Sequence, residues 1–260
     1  MVNIVSFNIN GLRARLPRLI EFLEREKPDL VCLQEIKGEA DSLPTADVEA
    51  VGYRGYWHGQ KGFNGVAILS RGDAEVALRR EGLPDDPDPT HSRYIEVETR
   101  GLVLGCIYLP NGNPVGSEKF AYKLAWMEQL RRHAANLLAE EKPVLLAGDY
   151  NVIPEDRDTF SVPAMADDAL MQPESRAALR AIVHQGWTDA LRQVQPDADK
   201  LYTFWDYQAG AWQRDAGFRI DHFLLSPQAA DRLTGAGVHK WARGEEKASD
   251  HAPVWVTLTD

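Results

Sequence analysis

The chain of 260 residues has only two cysteines. Cys32 lies in "DLVCLQE" and Cys106 in "LVLGCIYLP", both apolar runs of buried-strand type, so two reduced core thiols are expected rather than a disulfide framework. The seven histidines form no HExxH and no other paired spacing, which leaves a zinc site without support. No apolar run approaches the ~18 residues of a membrane span. A strand-like alternation starts at Val2, with no basic and apolar leader ahead of it. A cytoplasmic protein without membrane contact is therefore expected. Positive charge is also short, since 29 Lys and Arg against 39 Asp and Glu leave a net charge of −10. That excludes coating nucleic acid by bulk electrostatics, but not an enzyme whose basic residues gather on one face.

Long Gly/Ser or Pro linkers are absent as well. The loops at 82–89, 154–171 and 208–217 interrupt the pattern without the composition of a linker, so one domain over 1–260 is expected. With 44% hydrophobic residues the chain can bury a large core.

Short apolar runs alternate with helical patterns. Val2–Phe7, Asp29–Leu33, Gly65–Leu69, Leu102–Tyr108, Val144–Ala147, Phe218–Leu225 and Pro253–Leu258 read as strands. Leu12–Glu26 and Ser117–Glu140 carry amphipathic spacing, the second opening on a Ser/Glu capping signal. Arg93–Glu98 and Gly101–Tyr108 read as a hairpin through Thr99, Arg100 and Gly101, which predicts mixed rather than purely parallel sheets in an α/β fold.

Polar residues recur at the ends of these apolar strands: Asn8 after "IVSF", Glu35 after "LVCLQ", Tyr108 and Asn111 in "CIYLPNG", Asp149 and Asn151 in "LLAGDYN", Asp221 in "FRIDH", and Asp250 and His251 in "SDHAPVW". Singly, each has an ordinary structural explanation. Asn8 can shape a turn, Glu35 can pair with Lys37, Asp149 can be a turn residue, and His251 can be a hydrogen-bonded core histidine. Jointly they describe a site held at strand ends. Strand alternation turns Asp149 and Asn151 to one ligand and Tyr150 away, and points Asp250 and His251 in opposite directions. His251 then needs a carboxylate from elsewhere, and Asp221 suits it by residue type.

The ordered set "SFNINGLRAR", "CLQEIK", "NGVAILSR", "YLPNG", "LLAGDYNV", "YTFWDYQAG", "FRIDHFLLS" and "SDHAPV" runs from Ser6 to Val254. It resembles the exonuclease III family of AP endonucleases within the endonuclease/exonuclease/phosphatase superfamily. The resemblance implies a four-layer α/β sandwich, with two mixed β-sheets packed face to face between helices and the active site at one edge. It also implies a DNA repair nuclease that cuts 5′ to abasic sites, with variable 3′→5′ exonuclease and 3′-end trimming activity.

Phosphodiester hydrolysis needs an activated water, neutralised phosphate charge and a stabilised leaving oxygen. Glu35 is the expected first ligand of Mg²⁺, with Mn²⁺ able to substitute, and Asn8 and Asp250 contribute directly or through water. His251, oriented by Asp221, binds a non-bridging oxygen. Asn151 donates to the phosphate or orients the water. Asp149 is the expected general base, with leaving-group protonation as its alternative role, and Tyr108 is expected to assist. Asn111, matching the family's "PN" element, is expected to position DNA or the active-site loop. Phe204, Phe218 and Ile220 match the family's abasic pocket, with Trp205 packed beneath or beside it. Trp212 and Arg214 are a candidate wedge and cation against distorted DNA. Arg13, Arg15, Lys37, Lys61 and Arg93 are further candidates for phosphate contact. The expected partner is double-stranded DNA with abasic sites or 3′ ends, bound by a monomer. A non-catalytic relative of the same fold and a phosphatase acting on lipids or small molecules are the competing readings. The intact polar set weighs against the first, and the "NGLRAR" and "TFWDYQ" segments against the second.

Overall fold

The computed structural model describes residues 1–260, and its first strand already separates two cores. Along β1 (Val2–Asn8), Ile4 enters a cluster with Cys32, Leu104 and Leu145, whereas Val5 and Phe7 face the opposite side. There they meet Leu19, Phe22 and Leu23 of α1 (Leu12–Glu26). The period of two in the strand and the 3.6-residue period of the helix thus bury one shared seam.

The remaining strands are β2 (Leu30–Gln34), β3 (Tyr53–His58), β4 (Val66–Arg71), β5 (Val76–Glu81), β6 (Tyr94–Thr99), β7 (Leu102–Tyr108), β8 (Val144–Asp149), β9 (Thr188–Asp189), β10 (Asp221–Leu225), β11 (Leu233–Val238) and β12 (Val254–Leu258). They form two six-stranded sheets, ordered β11-β12-β1-β2-β4-β3 and β5-β6-β7-β8-β10-β9. Only β1/β2 and β7/β8 pair in parallel, so both sheets are mixed. The central core lies between the sheets. The outer face of the first sheet is covered by α1 and the short α2 (Thr45–Ala50), and that of the second by α3 (Glu118–Ala139) and, beyond the short α4 (Val162–Met165), α5 (Pro173–Val183). This is the expected four-layer sandwich.

The chain builds the same unit twice. In β12-β1-β2-β4 and again in β6-β7-β8-β10, a helix links the two parallel central strands and antiparallel strands flank them. No sequence repeat betrays this symmetry, because the two units share a hydrophobic pattern rather than residues.

The expected hairpin turns on Arg100 and Gly101, with φ of 52° and 71°, the double positive φ that suits a two-residue turn. Ser117 precedes α3 but caps no backbone N–H; its hydroxyl donates to the Pro114 carbonyl. The edge strands β3, β5 and β11 escape the hydrophobic pattern. β5 is largely exposed, and β11 carries Gly235 and Gly237, over which the Trp255 ring lies. A Cβ on Gly237 would stand 2.9 Å from that ring, so glycine in this strand accommodates an aromatic neighbour.

Candidate active site

Strand register assembles the site before any side chain is considered. Tyr108, Asp149 and Asp221 are directly paired across β7, β8 and β10. On the facing sheet, Asn8 pairs with Gln34, and Glu35 follows one residue on. The two parallel pairs therefore end at the same edge of the sandwich. Because β12 runs antiparallel to β1, with Val254 opposite Ser6, the residues before Val254 extend past Asn8 to that edge. The Ser249 hydroxyl fastens them there by donating to the Asn8 carbonyl at 2.6 Å. Gly148 admits β8 to this arrangement, since a Cβ on it would stand 1.9 Å from the Ile107 carbonyl oxygen.

A cavity of about 270 Å³ at this edge is lined by Glu35, Tyr108, Asn111, Asp149, Asn151, Phe204, Phe218, Ile220, Asp250 and His251, together with Asp168, Leu170 and Asp206. Four residues at or beside it have left-handed backbone: Asn10 (φ 47°), Glu35 (53°), Lys37 (52°) and Asn151 (48°). Such conformations cost free energy in non-glycine residues and concentrate where geometry is imposed by the surroundings.

His251 is the centre of the polar chain. Its Nδ1 lies 2.8 Å from Asp221 Oδ2, and its Nε2 faces Asp149 Oδ2 at 3.8 Å. The Thr203 hydroxyl donates to the same Asp221 oxygen at 2.6 Å. Burial on its own lowers the imidazole pKa, but Asp221, Asp149 and Asp250 outweigh it and raise the ring to about 10. Asp149 is pushed up to about 7, chiefly by burial and also by Asp221, against the pull of the His251 charge. The Asn151 N–H donates to Asp149 Oδ1 at 2.9 Å, and the Asn8 amide donates to Oδ2 at 2.9 Å.

The other end of the cavity is built of hard oxygens. Burial raises the Glu35 pKa, but hydrogen bonds from Lys37 and Asn8 more than offset it, so the carboxyl is held below its ordinary value. Lys37 Nζ sits 2.8 Å from Glu35 Oε2. Asn10 donates to Asp250 Oδ1 at 3.0 Å. Asp149, Asp221 and His251 also lie close enough to hold a cation. A protonated imidazole has no lone pair for a metal, however, so the Glu35 and Asp250 end fits Mg²⁺ or Mn²⁺ better by donor chemistry. Tyr108, on the same wall, has its phenol pKa pushed well above the ordinary value by burial and by the charges of Glu35 and Asp149.

Several expectations are corrected by this geometry. Asp250 and His251 both line the cavity rather than diverging, because they precede β12 and strand alternation does not govern them. Asn8 presents its N–H₂ to Glu35 and Asp149 and turns its oxygen to the Asn10 N–H, so it bridges the two carboxylates instead of offering a ligand oxygen. Trp212 packs edge-on against Trp205 with centroids 4.9 Å apart and does not project from the loop as a wedge, whereas Arg214 donates from Nε to the Ala209 carbonyl and stays exposed. Arg13 is bonded to the Ser42 carbonyl and Arg15 to the Asn10 carbonyl, while Arg93 lies 5.0 Å over the Tyr108 ring. Arg13, Lys37 and Lys61 do share a second hollow of about 310 Å³. Asn111 is exposed and joins Asn151 at 3.2 Å. Phe204 and Phe218 stack with centroids 4.6 Å apart, and fully buried Trp205 backs the adjoining aromatic cluster.

Besides Ser249, Asp168, Leu170 and Asp206, two supporting residues escaped the sequence reading, Thr203 and Lys123. Thr203 carried no distinguishing pattern. Lys123 did, since it occupies a core position on the stripe of Phe120, Trp126, Met127 and Leu130 and is fully buried.

A buried acid, imidazole and acid in series beside the Glu35 and Asp250 carboxylates, at the shared edge of two mixed sheets, define a class of phosphate-ester hydrolases. The chain belongs to the Endonuclease/Exonuclease/phosphatase family, which it matches over residues 5–251. It is 34% identical to exodeoxyribonuclease III of Haemophilus influenzae, over 96% of this chain and 97% of that protein. It is 30% identical to the DNA repair nuclease APEX1 of Danio rerio, over 99% of this chain and 82% of that one. Among solved structures, an AP endonuclease from Archaeoglobus fulgidus superposes with a TM-score of 0.94 at 34% identity, covering 100% of both chains. A 3′ phosphatase from Neisseria bound to product DNA hairpin gives the same TM-score of 0.94, identity of 34% and full coverage.

Proposed function

We propose that the protein is a divalent-metal-dependent DNA repair nuclease that hydrolyses the phosphodiester 5′ to an abasic site and leaves a 3′ hydroxyl. The same centre trims 3′ ends and acts as a 3′→5′ exonuclease. The observation that carries this reading is the series Asp221, His251, Asp149, Asn8, Glu35, joined by hydrogen bonds except for the 3.8 Å ion pair between His251 and Asp149, which links a proton-transfer end to a cation end within one cavity.

Asp149 is the general base. Its carboxyl, pushed up to about 7, is basic enough to take a proton from water, and its hydrogen bonds from Asn151 and Asn8 fix its plane. His251, held protonated by Asp221, donates from Nε2 to a non-bridging phosphate oxygen. Asn151 and Tyr108 orient the phosphate and the water from the neighbouring wall. Glu35 and Asp250 would hold Mg²⁺ or Mn²⁺, and Asn8 would keep Glu35 in place beside the ion by bridging it to Asp149. When bound, the ion supplies neutralisation of phosphate charge and stabilisation of the departing oxygen.

Phe204, Phe218 and Ile220 form an apolar wall suited to a sugar without its base. The chain acts on double-stranded DNA as a monomer, a single domain over 1–260, with Asn111, Lys37, Arg13 and Arg214 at the DNA face. Its two buried free thiols and its bacterial exodeoxyribonuclease relatives support a cytoplasmic setting. No helix is long and apolar enough to cross a membrane.

The test is cleavage of a labelled duplex carrying one abasic-site analogue, beside intact duplex and recessed 3′ ends, with Mg²⁺ and with a chelator. Incision 5′ to the lesion that disappears on chelation is the expected result. Equal incision after chelation, or no cleavage of any substrate, would refute the assignment.

A further inference from the structure

Lysine is rarely buried without a carboxylate partner, because removing its charge from water is costly. Lys123, in the first half of α3, is fully buried, and no carboxylate lies within ion-pair distance of it. Its ammonium instead donates to three backbone carbonyls: Asn151 at 2.6 Å, Asn111 at 3.0 Å and, weakly, Ala169 at 3.5 Å. These belong to three separate loops, which follow β7, follow β8 and precede α5. All three loops contribute to the catalytic cavity, through Asn111, Asn151 and Leu170.

The bonds continue from the carbonyls to the reacting groups. Asn151 has left-handed backbone, so holding its carbonyl also sets the direction of its own N–H, which donates to Asp149. The Asn151 side chain in turn bonds to the Leu109 carbonyl and to the Asn111 amide. The Ala169 carbonyl is shared with the Ser175 hydroxyl at 2.7 Å, which anchors the third loop to α5. A Cβ on Gly112 would stand 2.6 Å from the Lys123 side chain, so the loop after β7 is closed tightly over the lysine stem. Burial draws the ammonium pKa down to about 7, while Asp149 and Asp168 work to keep it charged.

We propose, resting on the hydrolase reading above, that Lys123 is a positioning residue: its ammonium clamps the loops of Asn111, Asn151 and Leu170 so that Asn151 and Asp149 are aligned for attack on the phosphodiester. A purely structural lysine would be replaceable by any side chain that leaves the fold intact. A clamp acts on the chemical step, because displacement of reacting groups by even about 1 Å costs up to about 100-fold in rate.

The test compares wild type, Lys123→Met and Lys123→Arg on the abasic duplex with Mg²⁺, reading kcat and KM separately. Lys123→Met keeps the stem and loses the donors. Its kcat is expected to fall by about 30-fold or more with KM changed by less than about threefold, and Lys123→Arg, which keeps donors and charge, recovers part of the loss. Amide exchange of the Asn111 and Asn151 loops is expected to speed up in the Met protein at unchanged global melting temperature. A folded Lys123→Met protein with wild-type kcat overturns the proposal. If the Met protein does not fold, Lys123→Gln is measured in its place, and wild-type kcat and loop exchange in that protein overturn the proposal equally. Wild-type protein that cuts no substrate would sink the hydrolase reading itself, an outcome distinct from either variant result.

Discussion

The Nδ1 of His251 lies 2.8 Å from Asp221 Oδ2, and the opposite ring nitrogen faces Asp149 at 3.8 Å. One imidazole thus stands between two buried carboxylates, of which Asp221 is also anchored by Thr203. Removing the ring leaves both acids without their cation. His251→Ala is expected to lower kcat by about 100-fold or more, in line with the loss of a preorganised donor to a phosphate oxygen. Steady-state incision kinetics on the abasic duplex check it, with wild-type turnover as the result that would remove His251 from the chemistry.

The same pair sets the pH dependence. Asp149 must be ionised to act as a base, and its pKa is raised to about 7, so kcat/KM should rise with pH through that region. His251 must stay protonated, and its pKa is raised to about 10, so the alkaline fall comes late. The two limbs belong to the coupled pair rather than to either residue alone. Asp221→Asn removes the largest force holding the ring charged and should bring the alkaline limb to lower pH. A pH profile of incision with an unmoved alkaline limb in that variant would contradict the arrangement.

Glu35 offers a carboxylate that Lys37 and Asn8 hold ionised. Glu35→Gln is therefore expected to raise the Mg²⁺ concentration needed for half-maximal activity by about tenfold or more. Metal titration at fixed substrate reads the shift, and the melting temperature without metal should stay near that of wild type.

Behind the apolar wall, Arg219 is fully buried and bonds to both Asp158 and Asp189. Burial raises the pKa of both acids, but the Arg219 charge prevails and holds each below the ordinary carboxylate range. A depressed folded-state pKa contributes stability that is fully present above the unfolded value of about 4 and is lost as pH falls through the folded values. Urea midpoints should thus drop most steeply below about pH 4. Arg219→Met would leave buried Asp158 with Arg192 as its one remaining cation and half-buried Asp189 with none, and is expected to cost about 3 kcal/mol at neutral pH. A variant with an unchanged midpoint would show the network to be energetically idle.

Arg214 is exposed on the loop that also carries Trp212. If the loop meets DNA, Arg214→Ala should reduce the slope of log affinity against log salt by about one ion and weaken binding alike on damaged and intact duplex. Identical slopes for variant and wild type would take Arg214 out of the DNA face.

The family, the two mixed sheets and most of the residues that line the candidate cavity were legible in the chain, because polar residues that are costly to bury stand out at the ends of apolar strands. Asn8, Glu35, Asp149 and His251 were visible in that way, as were α1 and the hairpin between β6 and β7. Edge strands were not legible: β5 is exposed on both faces and β11 is rich in glycine, so neither carries the alternation that burial imposes. The doubled β-α-β unit was hidden for the reverse reason, since unrelated residues can satisfy one hydrophobic pattern.

Sequence by itself determined which chemistry was available: hard carboxylates, one imidazole of the right context, amides, and two thiols with no metal pattern around them. It also limited the role of charge, since a net −10 leaves any DNA affinity to local arrangement. Tertiary structure alone decided who touches whom. Register across β7, β8 and β10 brought Asp221 to Asp149, and packing of the two sheets brought Asn8 and Glu35 to the same cavity. It also folded Trp212 back onto Trp205 and placed Lys123 beneath three loops. Apart from Trp212 on Trp205, those contacts join residues far apart in the chain, and their free energies depend on distance and burial, which no local pattern encodes.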